Sequence, residues 1–259
     1  MPEPNDKLIV ALVECSRCGN PFMIKKGQRK LGEIICDRLY EKAEFTHKKN
    51  LLELGCRTGE LLKEIGIKYN LNLFGIDTDK NKIEYASANL EKNLIDAKLI
   101  TMNILNNNFE DNFFDVVITS CYFLWEMEFN YILAEIHRIL KHNGVFLIFG
   151  EPDFGGIIEY PDTGLKKELY NSLKDAGADP EIGRKIPQYF SNKFRLVEHF
   201  CSSFPWIPSV NRASLINDLD LYIKNLNTKK FNSVLIIQSI ESNKYFLFIP
   251  IFGYYLKKI

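Results

Sequence analysis

The chemically suggestive residues cluster in LLELGCRTGE, residues 51–60, where an apolar run stops at Gly55 and a second glycine, Gly59, follows four positions later. Glycine tolerates positive φ and lets a ligand approach the backbone closely. A helix starting at Gly59 adds unpaired N–H groups and the positive end of its dipole. Glu53 lies two residues before Gly55, inside the apolar run. Glutamate is rarely buried there without a partner. Asp77 closes FGID, 18 residues beyond Gly59. A carboxylate at the tip of a second strand can accept hydrogen bonds from both hydroxyls of a ribose. The same position suits a helix N-cap, with Asp77 or Asp79 starting a helix at Lys80. The order G-C-R-T-G is not the G-x-G-x-x-G of dinucleotide binding, and no G-K-S or G-K-T occurs. Nicotinamide cofactors and ATP are therefore disfavoured.

Such a constellation needs strands and helices in alternation, and the hydrophobic pattern supplies them. KNLLELG (49–55) reads as a buried strand, GELLKEIGIKYN (59–70) as a helix and LNLFGID (71–77) as a second strand. KNKIEYASANLEKN (80–93) is helical, AKLITMNI (97–104) and FFDVVITS (113–120) are strands. FNYILAEIHRILKHNG (129–144) is a helix that Asn143 and Gly144 would cap, and VFLIFG (145–150) is a fifth strand. This alternation predicts an α/β fold, an open, mostly parallel sheet with helices on both faces and ligands at the carboxyl ends of the strands. Beyond residue 150 the pattern is less regular. It predicts a turn-rich loop at 151–164, helices at 165–177 and in SLINDLDLYIKNL, and a sixth strand at 194–200. NSVLIIQSI reads as helix or strand. YFLFIPIFGYYLKKI (245–259) reads as a long terminal strand placed at an edge or bulged by Pro250. Residues 32–45 also have helical spacing.

The chain of 259 residues is 46% hydrophobic, enough for a substantial core, and its 33 basic and 33 acidic residues cancel. A pI near 6.9 argues against a nucleic-acid partner, whose footprint is strongly basic. No secretory signal is visible in MPEPNDKLIV, and no run of about 18 apolar residues predicts a membrane-spanning helix. Six scattered cysteines in a chain of this size suggest a reduced, cytoplasmic protein.

Taken in order, LLELGCRTG, LFGIDTD, MNILNNNFEDNFFDVVITS and ILAEIHRILKHNGVFLI resemble the class I S-adenosylmethionine-dependent methyltransferases over about residues 50–150. EPDFGG and GADPEIGR are similar to a subset acting on small molecules. The resemblance implies a Rossmann-like, seven-stranded sheet in a single domain. Residues 1–48 would form a helical cap, 49–150 the cofactor core and 151–259 the substrate side with the terminal strands. It implies S-adenosyl-L-methionine as cofactor. Gly55, Cys56 and Gly59 would line its methionine and ribose end, with Glu53 near the amino group. Asp77 would hold the ribose and Thr78 lie beside the adenine. Asn103 and Ile104 occupy the place of a commonly acidic residue and its apolar neighbour. Ser120 and Cys121 would face the cofactor from the fourth strand. Arg57 replaces a common glycine, so its side chain must point away from the cofactor or the turn must open. Arg29 would pair with the methionine carboxylate unless it belongs to a solvated patch with Lys25, Lys26 and Lys30.

For the acceptor, Tyr122, Trp125 and Glu126 follow the fourth strand, and Glu151, Asp153 and Tyr160 follow the fifth. Aromatics can pack a flat substrate or a cation. Glu126 or Glu151 can accept a substrate proton. Ordinary packing is the alternative for Tyr122 and Trp125, and solvent exposure for Glu126. The partner implied is a small-molecule methyl acceptor. An RNA or protein methyltransferase, and a non-catalytic interaction protein retaining the fold, are the competing readings. No metal is expected. Cys15 and Cys18 form a C-x-x-C, but Cys36 and His47 sit at irregular spacing for a four-ligand zinc site. His137 and His199 read as packing or surface residues.

Overall fold

The computed structural model describes residues 49–190, 193–202 and 232–259. The predictions for residues 32–45, for Arg29 and the cysteine pair Cys15 and Cys18, and for SLINDLDLYIKNL lie outside these.

The first five strands are β1 (Asn50–Leu54), β2 (Asn72–Asp77), β3 (Ala97–Thr101), β4 (Phe114–Ser120) and β5 (Leu140–Pro152). Helix α1 (Glu60–Lys68) joins β1 to β2, α2 (Lys80–Lys92) joins β2 to β3, a loop with a short 3₁₀ turn joins β3 to β4, and α3 (Phe129–Ile139) lies between β4 and β5. β7 (Phe194–Ser202) and β9 (Ile251–Lys258) complete a seven-stranded sheet in the order β3-β2-β1-β4-β5-β9-β7. The five strands from β3 to β5 run parallel, and β9 pairs antiparallel with both β5 and β7. A two-stranded antiparallel sheet joins β6 (Ile158–Tyr160) to β8 (Phe246–Phe248). The remaining described helices are α4 (Leu165–Asp175), α5 (Ile182–Lys185) and α6 (Ser233–Glu241).

The period-two alternation of strand side chains divides the core in two. Leu51, Val116, Ile118 and Leu147 point to one face, where Leu62 and Ile65 of α1 and Leu90 of α2 cover them. Leu52, Leu54, Val117 and Ile148 point to the other, beneath Ile132, Leu133 and Ile136 of α3. Both faces are fully buried, so β1 and β4 read as continuous apolar runs. Because these five strands are parallel, their carboxyl ends lie on one side of the sheet. Arg138 of α3 fastens the loop that follows β3. Its guanidinium reaches Asn107 Oδ1 at 3.0 Å, the Phe109 carbonyl at 2.8 Å and Asp111 at 2.7 Å.

Three sequence expectations need correcting. Helix α3 stops at Ile139, not at an Asn143–Gly144 cap, because Leu140 turns extended and is buried opposite Phe114. The left-handed turn expected at Asn143 exists, with φ 60, but lies inside β5, where the pairing with β4 is interrupted. The terminal segment is two strands, not one, since Pro250 falls between β8 and β9. β9 is not an edge strand: it lies between β5 and β7. The ambiguous NSVLIIQSI is helical, with Ile236 and Ile240 buried.

Candidate active site

At the carboxyl ends of β1, β2 and β4 the described residues enclose a cavity of about 210 Å³. Its wall includes Gly55, Arg57, Asp77, Thr78, Asn103 and Cys121. Tyr122, Trp125 and Glu126 complete one side and Ile76, Met102 and Ile104 another. The geometry follows from the glycine-rich turn. Gly55 ends β1 at φ 65, a conformation that L side chains seldom adopt. A Cβ there would stand 2.8 Å from Cδ2 of Tyr122, so the missing side chain lets the tyrosine ring lie over the bend.

Gly59 has a different role from the one inferred for it. At φ 73 it caps α1, and an added Cβ would meet Ala86 Cβ at 3.2 Å. Its bareness serves close packing of α1 on α2, not access to the cavity. Cys56 is buried in the core cluster on the α1 side of the sheet, and its backbone N–H donates to the Ile76 carbonyl at 3.0 Å. Glu53 is buried in the middle of β1, beside Gly75 and Ile118. Neither Cys56 nor Glu53 lines the cavity.

Asp77 closes β2 and is 8% exposed. Its Oδ2 accepts the Arg57 N–H at 3.1 Å and its Oδ1 the Asp79 N–H at 3.0 Å. The N-cap of α2 is Asp79, whose Oδ1 accepts the Asn81 N–H at 2.9 Å. Helix capping is thus done by Asp79. Asp77 is left fixed by two backbone donors at the cavity wall, and a carboxylate has lone pairs for further donors. Asn103 turns its Oδ1 to the Leu105 N–H at 2.9 Å, starting a short 3₁₀ turn at Ile104–Asn106. Ile104 is buried and, with Ile76 and Met102, gives the cavity apolar side chains. Thr78 is exposed at the rim.

The loop after β4 brings up the remaining groups. Cys121 has φ 47, its N–H donates to the Phe149 carbonyl at 3.1 Å, and its Sγ lies 2.9 Å from the Gly150 carbonyl. Ser120, almost buried, ends the strand without lining the cavity. Residues Phe123–Trp125 form a 3₁₀ turn. Its opening N–H groups, on Tyr122 and Phe123, both donate to Glu151 Oε1, at 2.8 and 3.3 Å. Glu151 is fully buried on β5. Its described contacts make it the anchor of the Tyr122–Glu126 segment, away from the cavity wall. Tyr122 and Glu126 share a side-chain hydrogen bond. Burial pushes the Tyr122 hydroxyl far above its ordinary range, with the Glu126 carboxylate adding to the effect. Burial also raises Glu126, partly offset by the Tyr122 hydrogen bond.

Asp153 and Tyr160 are elsewhere: Asp153 is buried in an ion pair with Arg184, and Tyr160 is exposed on β6. His137 is on α3, Nε2 3.4 Å from the Ile259 carbonyl and its ring edge-on to Phe194. Sequence reasoning missed Lys82 and Met102. Lys82 is in the first turn of α2, five residues past Asp77, a position that turns back toward the strand end. Met102 follows β3, with its N–H on the Asp77 carbonyl at 2.9 Å. Among the described residues no group of three or more His, Cys, Asp or Glu side chains could hold a metal ion, and no helix is long and apolar enough to cross a membrane.

Residues 52–148 match the family described as "Methyltransferase domain". Among curated proteins, the chain is 26% identical over 172 residues to the mitochondrial arginine-hydroxylase NDUFAF5 of Mus musculus, covering 64% of this chain and 46% of that one. It is 22% identical over 175 residues to a malonyl-[acyl-carrier protein] O-methyltransferase of Calditerrivibrio nitroreducens, covering 67% of this chain and 62% of the other. The chain spans about half the length of the first curated relatives it matches. Among solved structures, MccD protein superposes with a TM-score of 0.61 at 21% identity, over 86% of this chain and 95% of that one. At that identity the likeness establishes the fold.

Proposed function

We propose that this chain, whose residues 52–148 match a methyltransferase-domain family, is a class I S-adenosylmethionine-dependent methyltransferase that transfers a methyl group from S-adenosyl-L-methionine to an O, N or C nucleophile of a small molecule. The observation that carries the reading is the Asp77 carboxylate, fixed by the Arg57 and Asp79 N–H groups at the wall of a cavity that begins at the Gly55 bend. The residues present fit the cofactor. Asp77 offers acceptors to two ribose hydroxyls, Ile76, Met102 and Ile104 offer a face to the adenine, and the Gly55 bend, with Tyr122 over it, would bound the amino-acid end. When bound, the cofactor supplies a sulfonium-activated methyl group.

The protein's part is alignment and exclusion of water. Tyr122 and Trp125 wall the end of the cavity nearest β4 and would hold the acceptor. Glu126, half-buried and hydrogen-bonded by Tyr122, would take the proton of an O–H or N–H nucleophile. Glu151 would hold Tyr122 and Phe123 in register with β5. The described residues beyond 150 would form the substrate side. A cytoplasmic setting and a small-molecule partner complete the proposal. The malonyl-[acyl-carrier protein] O-methyltransferase relative makes oxygen acceptors the first to screen.

The test is calorimetric titration with S-adenosylhomocysteine, followed by a screen of a metabolite extract with methyl-labelled cofactor. Binding lost in Asp77→Ala, together with label transferred to a small molecule, supports the proposal. Binding with label found only on protein or RNA would redirect the acceptor assignment. No binding at high micromolar ligand would leave an interaction module.

A further inference from the structure

Arg57 stands where a third glycine is common in chains of this type, and the structure shows its use. Its backbone has φ 46, in the left-handed region. It shares the cavity wall with Gly55, Cys121 and Tyr122. The guanidinium Nη2 donates to the Cys121 carbonyl at 3.2 Å, while the backbone N–H of the same residue holds Asp77 Oδ2 at 3.1 Å. The side chain therefore crosses from the end of β1 to the end of β4, along the cavity. Of the two expectations, a side chain pointing away or an opened turn, the first does not hold: the side chain reaches Cys121 at the cavity wall.

Among the described residues, the charges of the cavity wall are Asp77 and Glu126 against Lys82 and Arg57. Lys82 and Asp77 belong to the β2–α2 side, and Arg57 to the side of Gly55 and Cys121. A ligand whose sugar lies on Asp77 and whose chain extends from the end of β1 toward the end of β4 brings its far end to the Arg57 side chain, which spans the same strand ends. A guanidinium presents its donors in a planar fork that matches a carboxylate bidentately.

We propose that Arg57 is the receptor for the α-carboxylate of the cofactor's methionine part, the role that sequence reasoning offered to Arg29. The proposal rests on the methyltransferase reading. It makes one residue join both halves of the cofactor site, the sugar through its backbone and the amino-acid end through its side chain.

The experiment measures affinity for two ligands, S-adenosylhomocysteine and 5′-methylthioadenosine, which keeps the nucleoside and thioether but lacks the amino-acid group. Wild type, Arg57→Gln, Arg57→Lys and Arg29→Gln are titrated by calorimetry. Arg57→Gln is expected to weaken S-adenosylhomocysteine by about 10- to 100-fold, the loss of a charge-assisted contact. It should leave methylthioadenosine within about twofold, which also certifies the fold of the variant. Arg57→Lys should fall between wild type and Arg57→Gln for the full-length ligand, since lysine keeps the charge without the fork. Equal losses for both ligands would overturn the proposal, because Arg57 would then act only through the turn and Asp77. So would an unchanged or improved affinity for S-adenosylhomocysteine, or a selective loss in Arg29→Gln alone. If wild type binds neither ligand, the methyltransferase reading fails first and takes the assignment with it.

Discussion

Asp77→Asn separates the two duties of one carboxylate. In the folded chain each oxygen of Asp77 already accepts a backbone N–H, from Arg57 at 3.1 Å and from Asp79 at 3.0 Å. Asparagine keeps one acceptor and replaces the other by an NH₂ group facing a donor. One hydrogen bond to a charged group is lost, about 1.5–3 kcal/mol. For a chain of this size that lowers Tm by roughly 3–12 °C. The ribose loses at least one charge-assisted bond of similar strength, so the affinity for S-adenosylhomocysteine should drop roughly 10- to 150-fold. Asp79→Asn is the control. Its side chain caps α2 through the Asn81 N–H, asparagine caps as well as aspartate, and both Tm and affinity should stay near wild type. Differential scanning fluorimetry and calorimetric titration read the two effects. Wild-type affinity in Asp77→Asn, or equal losses in the two variants, would refute the assignment of the sugar to Asp77.

Gly55→Ala puts a Cβ 2.8 Å from the Tyr122 ring at φ 65; it should cost about 1–2 kcal/mol for the left-handed backbone alone, visible as a lower Tm, and should weaken S-adenosylhomocysteine binding as well. Glu151→Ala leaves the Tyr122 and Phe123 N–H groups without their buried acceptor, so it should lower stability by about 1–3 kcal/mol or more and raise the acceptor KM, whereas Glu151→Gln, which keeps an acceptor oxygen, should restore most of both in thermal melts and steady-state kinetics. Burial raises Glu126 above its unfolded value. Its stability contribution is therefore complete below the unfolded pKa and lost as pH rises through the folded one, so Glu126→Gln should be at least as stable as wild type near neutrality in Tm measured against pH. As a proton acceptor Glu126 works only when ionised: kcat should rise with pH through its raised pKa in wild type, and that limb should vanish in Glu126→Gln.

Much of the frame was legible because it depends on local pattern. Apolar runs at β1, β2, β4 and β5, separated by helices of amphipathic spacing, suffice to infer a parallel sheet, and GCRTG with Asp77 marks where its strand ends converge. The misreadings share a cause, namely contacts between residues far apart in the chain. Helix α3 ends where Leu140 finds Phe114, a partner 26 positions away. Pro250 reads locally as an edge or bulge signal, but it separates strands of two different sheets. In the site, the sequence placed Asp77, Asn103, Ile104, Cys121, Tyr122 and Glu126 beside a ligand, and all six line the cavity. Gly59 was assigned correctly as a helix start but not for its packing against Ala86. Glu151 looked like a chemical group because carboxylates past a strand often are. Its use as an acceptor for Tyr122 and Phe123 depends on the approach of β5 to the loop after β4, which no local motif records. Lys82 and Met102 come to the wall through the geometry of a helix start and a strand exit, and carry no signature of their own.

The placement of β9 between β5 and β7 sets an order of assembly. During synthesis β7 emerges first, yet its only described pairing is with β9, so it has no seat in the sheet until more than 40 further residues have been made. Until then the backbone groups of β5 that will face β9 form an open rim, ready to pair with another nascent chain. Chaperone demand and inclusion-body formation should accordingly track cleavage or mutation around residues 251–258 more than comparable damage near β3, at the opposite border of the sheet.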